Sequence, residues 1–375
     1  MTHANHILMT TDTIGGVWTY AMELVGGLCA RGVDVTLAAM GEEPSERQAA
    51  EAGAIDGLEL EARAYRLEWM QDPWDDLGEA AEWLSALARR RRPDIVHLNT
   101  LAHGALDWPA PVLTVGHSCV LSWFESVKDQ PAGPEWERYR EVVGRSLKAS
   151  DMVVAPSATM LQALQRHYGP FEQTRVIYNG RSPQMFPPGN KQPVVLTAGR
   201  LWDEAKNVRA VVEASRQIDW EVAVAGSTTH PDGGSVELDG VRALGRLEQH
   251  ELVEWYARSS IYVLPARYEP FGLTALEAAL AGNALVLGDI ATLREIWGDC
   301  ALFVDPDDSD RLAEVLEELI NDAPRRRWLA DRARQRALHL GASAMVDRYM
   351  ELYREMRADR VWPERSSRLG GRVRR

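Results

Sequence analysis

A chain of 375 residues, 45% hydrophobic and 26% charged with a net charge of −13, is too long for one ordinary core and fits two domains of roughly 150–200 residues each. The composition matches a soluble globular protein, and the acidic body argues against sequence-independent binding of nucleic acid, which works by neutralising phosphates. Cys29, Cys119 and Cys300 are scattered without CxxC spacing, "MTHANHILMTTD" lacks the basic and apolar regions of a leader, and no apolar run is long enough to span a bilayer, so a reduced, cytoplasmic protein is expected.

"HILMT" reads as a strand leading into "GGVWTYAMELVGGLCARG", where Val17, Tyr20, Ala21, Leu24, Val25 and Leu28 recur at helical spacing before Gly32 stops the helix. "VDVTLAAM" follows as the next strand and completes a βαβ unit. Between Glu42 and Glu82, thirteen acidic residues stand against three basic ones. "RRRR" at 89–92 completes a helix C-terminus ahead of Pro93, where the helix dipole favours positive charge. "PDIVHLN", "PVLTVGH", "DMVVAPS" and "TRVIYNG" are strand-like runs, each ending where a loop must begin. After a linker rich in Pro, Gly and Asn the rhythm restarts with "VVLTAGR", "WEVAVAG", "IYVLPA", "NALVLGD" and "CALFVDP".

The expected class is therefore α/β, with two Rossmann-like domains whose parallel sheets carry helices on both faces and bind ligands at the strand ends. The division is 1–180, a linker at 181–193, and 194–342. The helix at 343–360, "AMVDRYMELYREM", packs on one domain or the other. The last nineteen residues hold seven arginines and two acids, and 361–375 reads as a disordered, solvated tail.

Four stretches could carry chemistry. In "TDTIGGVWTY", Gly15 and Gly16 form a turn at a helix N-terminus, which suits an anion or else serves only as a tight turn. In "TVGHSC", His117 sits at a strand's carboxyl end, either facing a substrate or filling a structural place. "TAGRLWDEAKN" delivers Arg200 and Lys206 into one loop, where two cations suit a diphosphate if they are not simply solvated. In "RYEPFGLTALEAALAG", Pro270 separates Glu269 from a helix that begins near Gly272 or Leu273. The amides of Phe271, Gly272 and Leu273 and the hydroxyl of Thr274 form a second anion site there, and Glu277 lies one turn further on. The D-x-D within "DPDDSD" at 305–310 is read as a helix cap through Asp308 or Ser309 rather than as a metal site.

Together these motifs resemble the family-4 glycosyltransferases, the large retaining group with the GT-B fold, over nearly the whole chain. The resemblance implies that Arg200 and Lys206 hold the donor diphosphate, that Glu269 binds donor-sugar hydroxyls and Glu277 the nucleotide ribose. It implies that Gly15 and Gly16 approach the diphosphate from the other domain and that His117 contacts the transferred sugar. The backbone of Gly245, Arg246 and Leu247 would hold the base. The catalytic set is thus His117, Arg200, Lys206 and Glu269. No cofactor or metal is expected, only a nucleotide-diphosphate sugar as co-substrate, a UDP- or GDP-sugar foremost.

Two departures stand out: "HLNT" occupies a place where relatives often carry another histidine, and "GDIATLREIW" replaces a glycine-rich segment. The acidic first half favours a soluble saccharide, polyol or natural-product acceptor over a lipid-linked or polysaccharide acceptor at a membrane surface, where Trp69, Trp74 and "RRRR" would make peripheral contact. A non-catalytic nucleotide-sugar-binding scaffold is the alternative from another class. One or two of Trp18, Trp69, Trp74, Trp83, Trp108, Trp123 and Trp136 are candidates to stack on an acceptor ring.

Overall fold

Two parallel sheets account for the strands of the computed structural model, which describes residues 4–229 and 236–358. The first half runs β1 (His6–Asp12), α1 (Gly16–Cys29), β2 (Asp34–Met40), α2 (Glu46–Gly53), β3 (Leu58–Ala62), α3 (Trp74–Arg91), β4 (Ile95–Leu98), β5 (Val112–Val115), α4 (Val120–Lys128), α5 (Glu137–Ala149), β6 (Met152–Ala155), α6 (Ala158–Tyr168) and β7 (Thr174–Val176). The second runs β8 (Gln192–Ala198), α7 (Val208–Ser215), β9 (Glu221–Ala225), β10 (Arg242–Gly245), α8 (Gln249–Arg258), β11 (Ser259–Leu264), α9 (Leu273–Leu280), β12 (Ala284–Gly288), α10 (Ala291–Trp297), β13 (Leu302–Val304), α11 (Ser309–Asn321), α12 (Ala323–Leu338) and α13 (Ala342–Ala358). The basic tail expected at 361–375 lies outside the described residues.

The seven-stranded sheet has the order β3-β2-β1-β4-β5-β6-β7 and the six-stranded sheet β10-β9-β8-β11-β12-β13. Every residue of β4, β5, β6, β11 and β12 is buried. Helices cover both faces of these strands, so they read as unbroken apolar runs rather than alternating ones. The strands with no counterpart in the sequence reading, β3 and β10, are sheet edges with partly exposed positions. An edge strand has one neighbour and needs less apolar surface, so its signal is weak.

Helix α13 packs on α1. Met345, Val346, Tyr349, Leu352 and Tyr353 join Leu24, Val25 and Leu28 in one buried cluster, each side chain contributing roughly 1.5–3 kcal/mol of burial. The chain therefore crosses between the two sheets twice. At the crossing, Arg181 N–H donates to Leu340 O at 3.2 Å and Ala342 N–H to Arg181 O at 3.2 Å. Asp308 caps α11, accepting from Arg311 N–H at 2.8 Å.

Trp69 and Trp74, at or just before the start of α3, stand apart from residues 89–92 at its end. Trp69 and Trp74 line the cleft between the sheets, while the arginines sit at the far end of α3, 18 residues long or about 27 Å. There Arg90 pairs with Glu61 at 2.6 Å and Arg91 pairs with Glu59 and Glu61. No helix among the described residues is long and apolar enough to cross a membrane.

Candidate functional site

A cleft of about 1920 Å³ runs between the carboxyl ends of the two sheets. Gly15 enters it as the N-cap of α1 with φ 105°, a backbone conformation that glycine adopts without steric penalty. Across the cleft stands Arg200: a Cβ added to Gly15 would lie 4.0 Å from its Nη1. A Cβ on Gly16 would lie 3.8 Å from Leu273 Cδ1. The glycine turn of one domain and the cation and helix start of the other, about 185 and 260 residues apart in sequence, thus face each other.

Both cations are held by carboxylates. Lys206 Nζ lies 2.5 Å from Glu269 Oε2, and Arg200 Nη2 lies 2.9 Å from Asp203 Oδ2. Asp203 is 6% exposed. Its burial opposes ionisation, but Arg200, Lys206, Trp123 and the Ala205 amide outweigh that and hold it below the usual carboxylate range. Asp203 also accepts from Trp123 Nε1 at 3.2 Å, which joins α4 to the cation loop.

The proline between the two glutamates has a visible effect. Gly272 is the N-cap of α9, with φ 92°, so Glu269 stays outside the helix and Glu277 inside it. The loop around Glu269 is tied to the first domain on both sides. Tyr268 Oη reaches Cys119 N at 3.3 Å and Ser122 Oγ at 3.1 Å, and Ser157 Oγ donates to Pro270 O at 2.9 Å. The Phe271 side chain is buried, leaving only its backbone near the cleft.

Glu277 is 7% exposed. Arg181 Nε pairs with its Oε1 at 2.9 Å, and Tyr256 Oη donates to Oε2 at 3.2 Å. The same Arg181 pairs through Nη1 with Glu23 Oε2 at 2.7 Å, so α1, the linker and α9 meet in one buried Glu–Arg–Glu array. Burial raises the Glu277 carboxyl while Arg181 draws it back down.

His117 lines the cleft and is bonded through Nε2 to Asn99 Oδ1 at 2.9 Å; His97 Nε2 reaches the same oxygen at 3.2 Å. Asn99 Nδ2 donates to Thr10 O at 2.8 Å, which fixes the amide so that both imidazoles donate to its oxygen. Burial favours the neutral ring, and with Nε2 donating to Asn99 the lone pair of neutral His117 lies on Nδ1. Burial depresses the pKa of both rings, His97 to about 3.

Of the three residues expected at the base, Arg246 and Leu247 line the cleft and Gly245 does not. The Gly245 carbonyl is committed to Gly226 N–H at 2.8 Å. The sequence reading also missed Glu23, Asn99, Arg181 and Asp203. Asn99 directly follows β4 in "HLNT", and Arg181 follows the run "TRVIYNG" five residues after β7; that placement was the one signal that pointed to them.

Residues 14–184 match the family model described as Glycosyltransferase Family 4, and residues 192–322 the model described as Glycosyl transferases group 1. A glycogen synthase of Mycobacterium tuberculosis is 27% identical over 362 residues, 86% of either chain. A D-inositol 3-phosphate glycosyltransferase of Kineococcus radiotolerans is 26% identical over 418 residues, 94% of this chain and 93% of its own. Sucrose-phosphate synthase from Thermosynechococcus elongatus superposes with a TM-score of 0.78 at 21% identity, over 94% of this chain and 99% of its own. Anabaena HepE in complex with UDP and glucose superposes with a TM-score of 0.74 at 16% identity, over 94% and 100%. Two facing parallel sheets and these matches define a glycosyltransferase of GT-B architecture. The chain belongs to the family-4, group 1 glycosyltransferases.

Proposed function

We propose that the protein transfers a sugar from a nucleotide diphosphate to a hydroxyl of a saccharide, polyol or natural-product acceptor, with retention and without a metal. The observation that carries this reading is the opposition of Gly15 and Gly16 to Arg200, with Lys206 and Glu269 beside them. Amides at a glycine turn and two cations form an anion site from both sides of a cleft. Glu269 then offers its carboxylate to the donor-sugar hydroxyls and Glu277 to the ribose, while Leu247 borders the base.

Cleaving the bond between C1 and the phosphate oxygen leaves charge on the phosphate and an oxocarbenium-like sugar. Arg200, Lys206 and the α9 amides stabilise the developing phosphate charge, the kind of preorganised electrostatics that dominates such steps. The acceptor oxygen bonds to C1 on the face the phosphate leaves, and its proton passes to the departing phosphate oxygen. His117, with its Nδ1 lone pair, accepts from a sugar hydroxyl and positions the ring. The cations already supply the positive charge a metal would bring, so activity persists in EDTA.

The test is a panel of UDP-, GDP- and ADP-sugars scored for slow hydrolysis, which needs no knowledge of the acceptor. One nucleotide sugar should be cleaved by the wild type and not by Lys206→Met. No cleavage of any donor contradicts the proposal.

A further inference from the structure

Glu68, in the loop between β3 and α3, lines the cleft and is 6% exposed. Leu101 N–H donates to its Oε1 at 2.8 Å, whereas Oε2, equally buried, has no hydrogen-bond partner. A buried carboxylate oxygen without a donor is an unmet acceptor, and a ligand hydroxyl is a donor of the right kind. Asp12, at the end of β1, stands close enough to feel the charge of Glu68; burial first, and that charge last, push its carboxyl up to about 7, against the Ile14 amide and Arg200.

The same wall carries partly exposed Trp69, next to Glu68 in sequence, and Trp136, whose ring lies 5.7 Å from that of Tyr139 beside Glu68. Apolar ring faces with a few convergent polar groups are how pockets take sugars and other amphipathic small molecules. The charge beside these rings is one-sided: next to Trp69 and Trp136 in sequence the cleft lining holds Glu68, Asp72 and Glu135 and no lysine or arginine, while Arg181 is committed to Glu23 and Glu277. Arg31 is committed to Asp347 at 2.8 Å and Arg47 to Glu248.

We propose that Glu68, with Trp69 and Trp136, forms the acceptor subsite, and that this subsite takes an unphosphorylated carbohydrate whose hydroxyl donates to Glu68 Oε2. The proposal rests on the donor site lying on the opposite wall. A phosphate on the acceptor would meet carboxylates and no uncommitted cation on this side, and like charges brought together in a cleft repel strongly enough to reject a ligand.

The experiment is saturation-transfer NMR on the wild type in the presence of saturating UDP, with matched pairs: maltose and maltose 1-phosphate, glucose and glucose 6-phosphate, myo-inositol and its monophosphate. The neutral member of at least one pair should bind, and at least tenfold more tightly than its phosphate. Glu68→Gln places an amide donor where an acceptor is needed and should weaken that binding at least tenfold while UDP still raises the melting temperature. Phosphates that bind as well as the neutral sugars, no binding by any neutral sugar, or full binding by Glu68→Gln each overturns the assignment. Should the Gln variant not fold, the wild-type pairs still decide. Should GDP or ADP rather than UDP protect the wild type, that nucleotide takes the place of UDP in these experiments; no protection by any of the three is a separate result that removes the donor-site reading instead.

Discussion

Arg181 Nε stands 2.9 Å from Glu277 Oε1 while its Nη1 stands 2.7 Å from Glu23 Oε2, so one guanidinium in the linker bridges carboxylates of the two domains. The three side chains are 5%, 9% and 7% exposed. Removing one partner of such an array leaves buried charge unpaired, at a cost of about 3–5 kcal/mol. Arg181→Met should lower the unfolding free energy by that order in urea, and adding Glu23→Gln should recover part of it. A loss under about 1 kcal/mol would mean that the array is solvated in solution.

Glu269 both neutralises Lys206 and, in the proposed reaction, faces the sugar. Its replacement therefore separates binding from chemistry. Glu269→Gln should leave UDP affinity unchanged or tighter, because the cation is released, while transfer slows by about 10²–10³-fold, the usual cost of a lost electrostatic contact to the reacting group. Steady-state rates beside calorimetric UDP affinities check this. Weakened UDP binding with an unchanged rate would contradict it.

Burial keeps His117 neutral, and Asn99 Oδ1 accepts its Nε2–H without bringing a charge to the ring. Asn99→Asp puts a carboxylate there, with Tyr20 against the His117 ring at 4.5 Å and His97 on the same oxygen. A carboxylate raises the histidine pKa. The pH–rate profile of the variant should fall as pH drops below that raised value, where a protonated Nδ1 no longer accepts from the sugar. The wild type should lack that limb between pH 6 and 8. Coincident profiles would exclude His117 from positioning.

Burial also couples stability to pH. His97 and His103 are pushed down to about 3 and about 4 from an ordinary 6.5, and His117 is depressed as well. A histidine kept neutral in the fold contributes stability that is present above its unfolded pKa and lost as pH falls toward its folded one. Asp12, raised to about 7 from 3.8, acts oppositely, its contribution fading as pH rises through that window. Glu68 and Glu277, also raised by burial, act in the same sense as Asp12, so the histidines are read by difference: His103→Asn should lose less melting temperature than the wild type between pH 6.5 and 4.5. Equal losses in the two proteins would contradict the burial of this ring.

The residues proposed to hold the donor stand out in the sequence because they fall in short local motifs. "EPFGLTALE" carries its own helix break, and "GRLWDEAK" its own strand end. What the sequence did not reveal are the partners. Glu23 and Arg181 lie 158 residues apart, Trp123 and Asp203 lie 80 apart, and Ser157 and Pro270 lie 113 apart. No local pattern marks such pairs, since each exists only once the two sheets face each other. The wall proposed for the acceptor was hidden for a related reason. Glu68 sits in a loop among thirteen acidic residues, and burial alone distinguishes it from its solvated neighbours.

The most direct measurement is the melting temperature with millimolar UDP, GDP or ADP in EDTA, for the wild type and Lys206→Met. A ligand at about 100 times its dissociation constant stabilises the fold by roughly 2.7 kcal/mol, or a rise of several degrees in a chain of this size. One nucleotide should raise the wild type by that amount with no metal present and leave Lys206→Met unmoved. No protection by any of the three, or equal protection of the variant, would contradict a diphosphate held by Arg200 and Lys206.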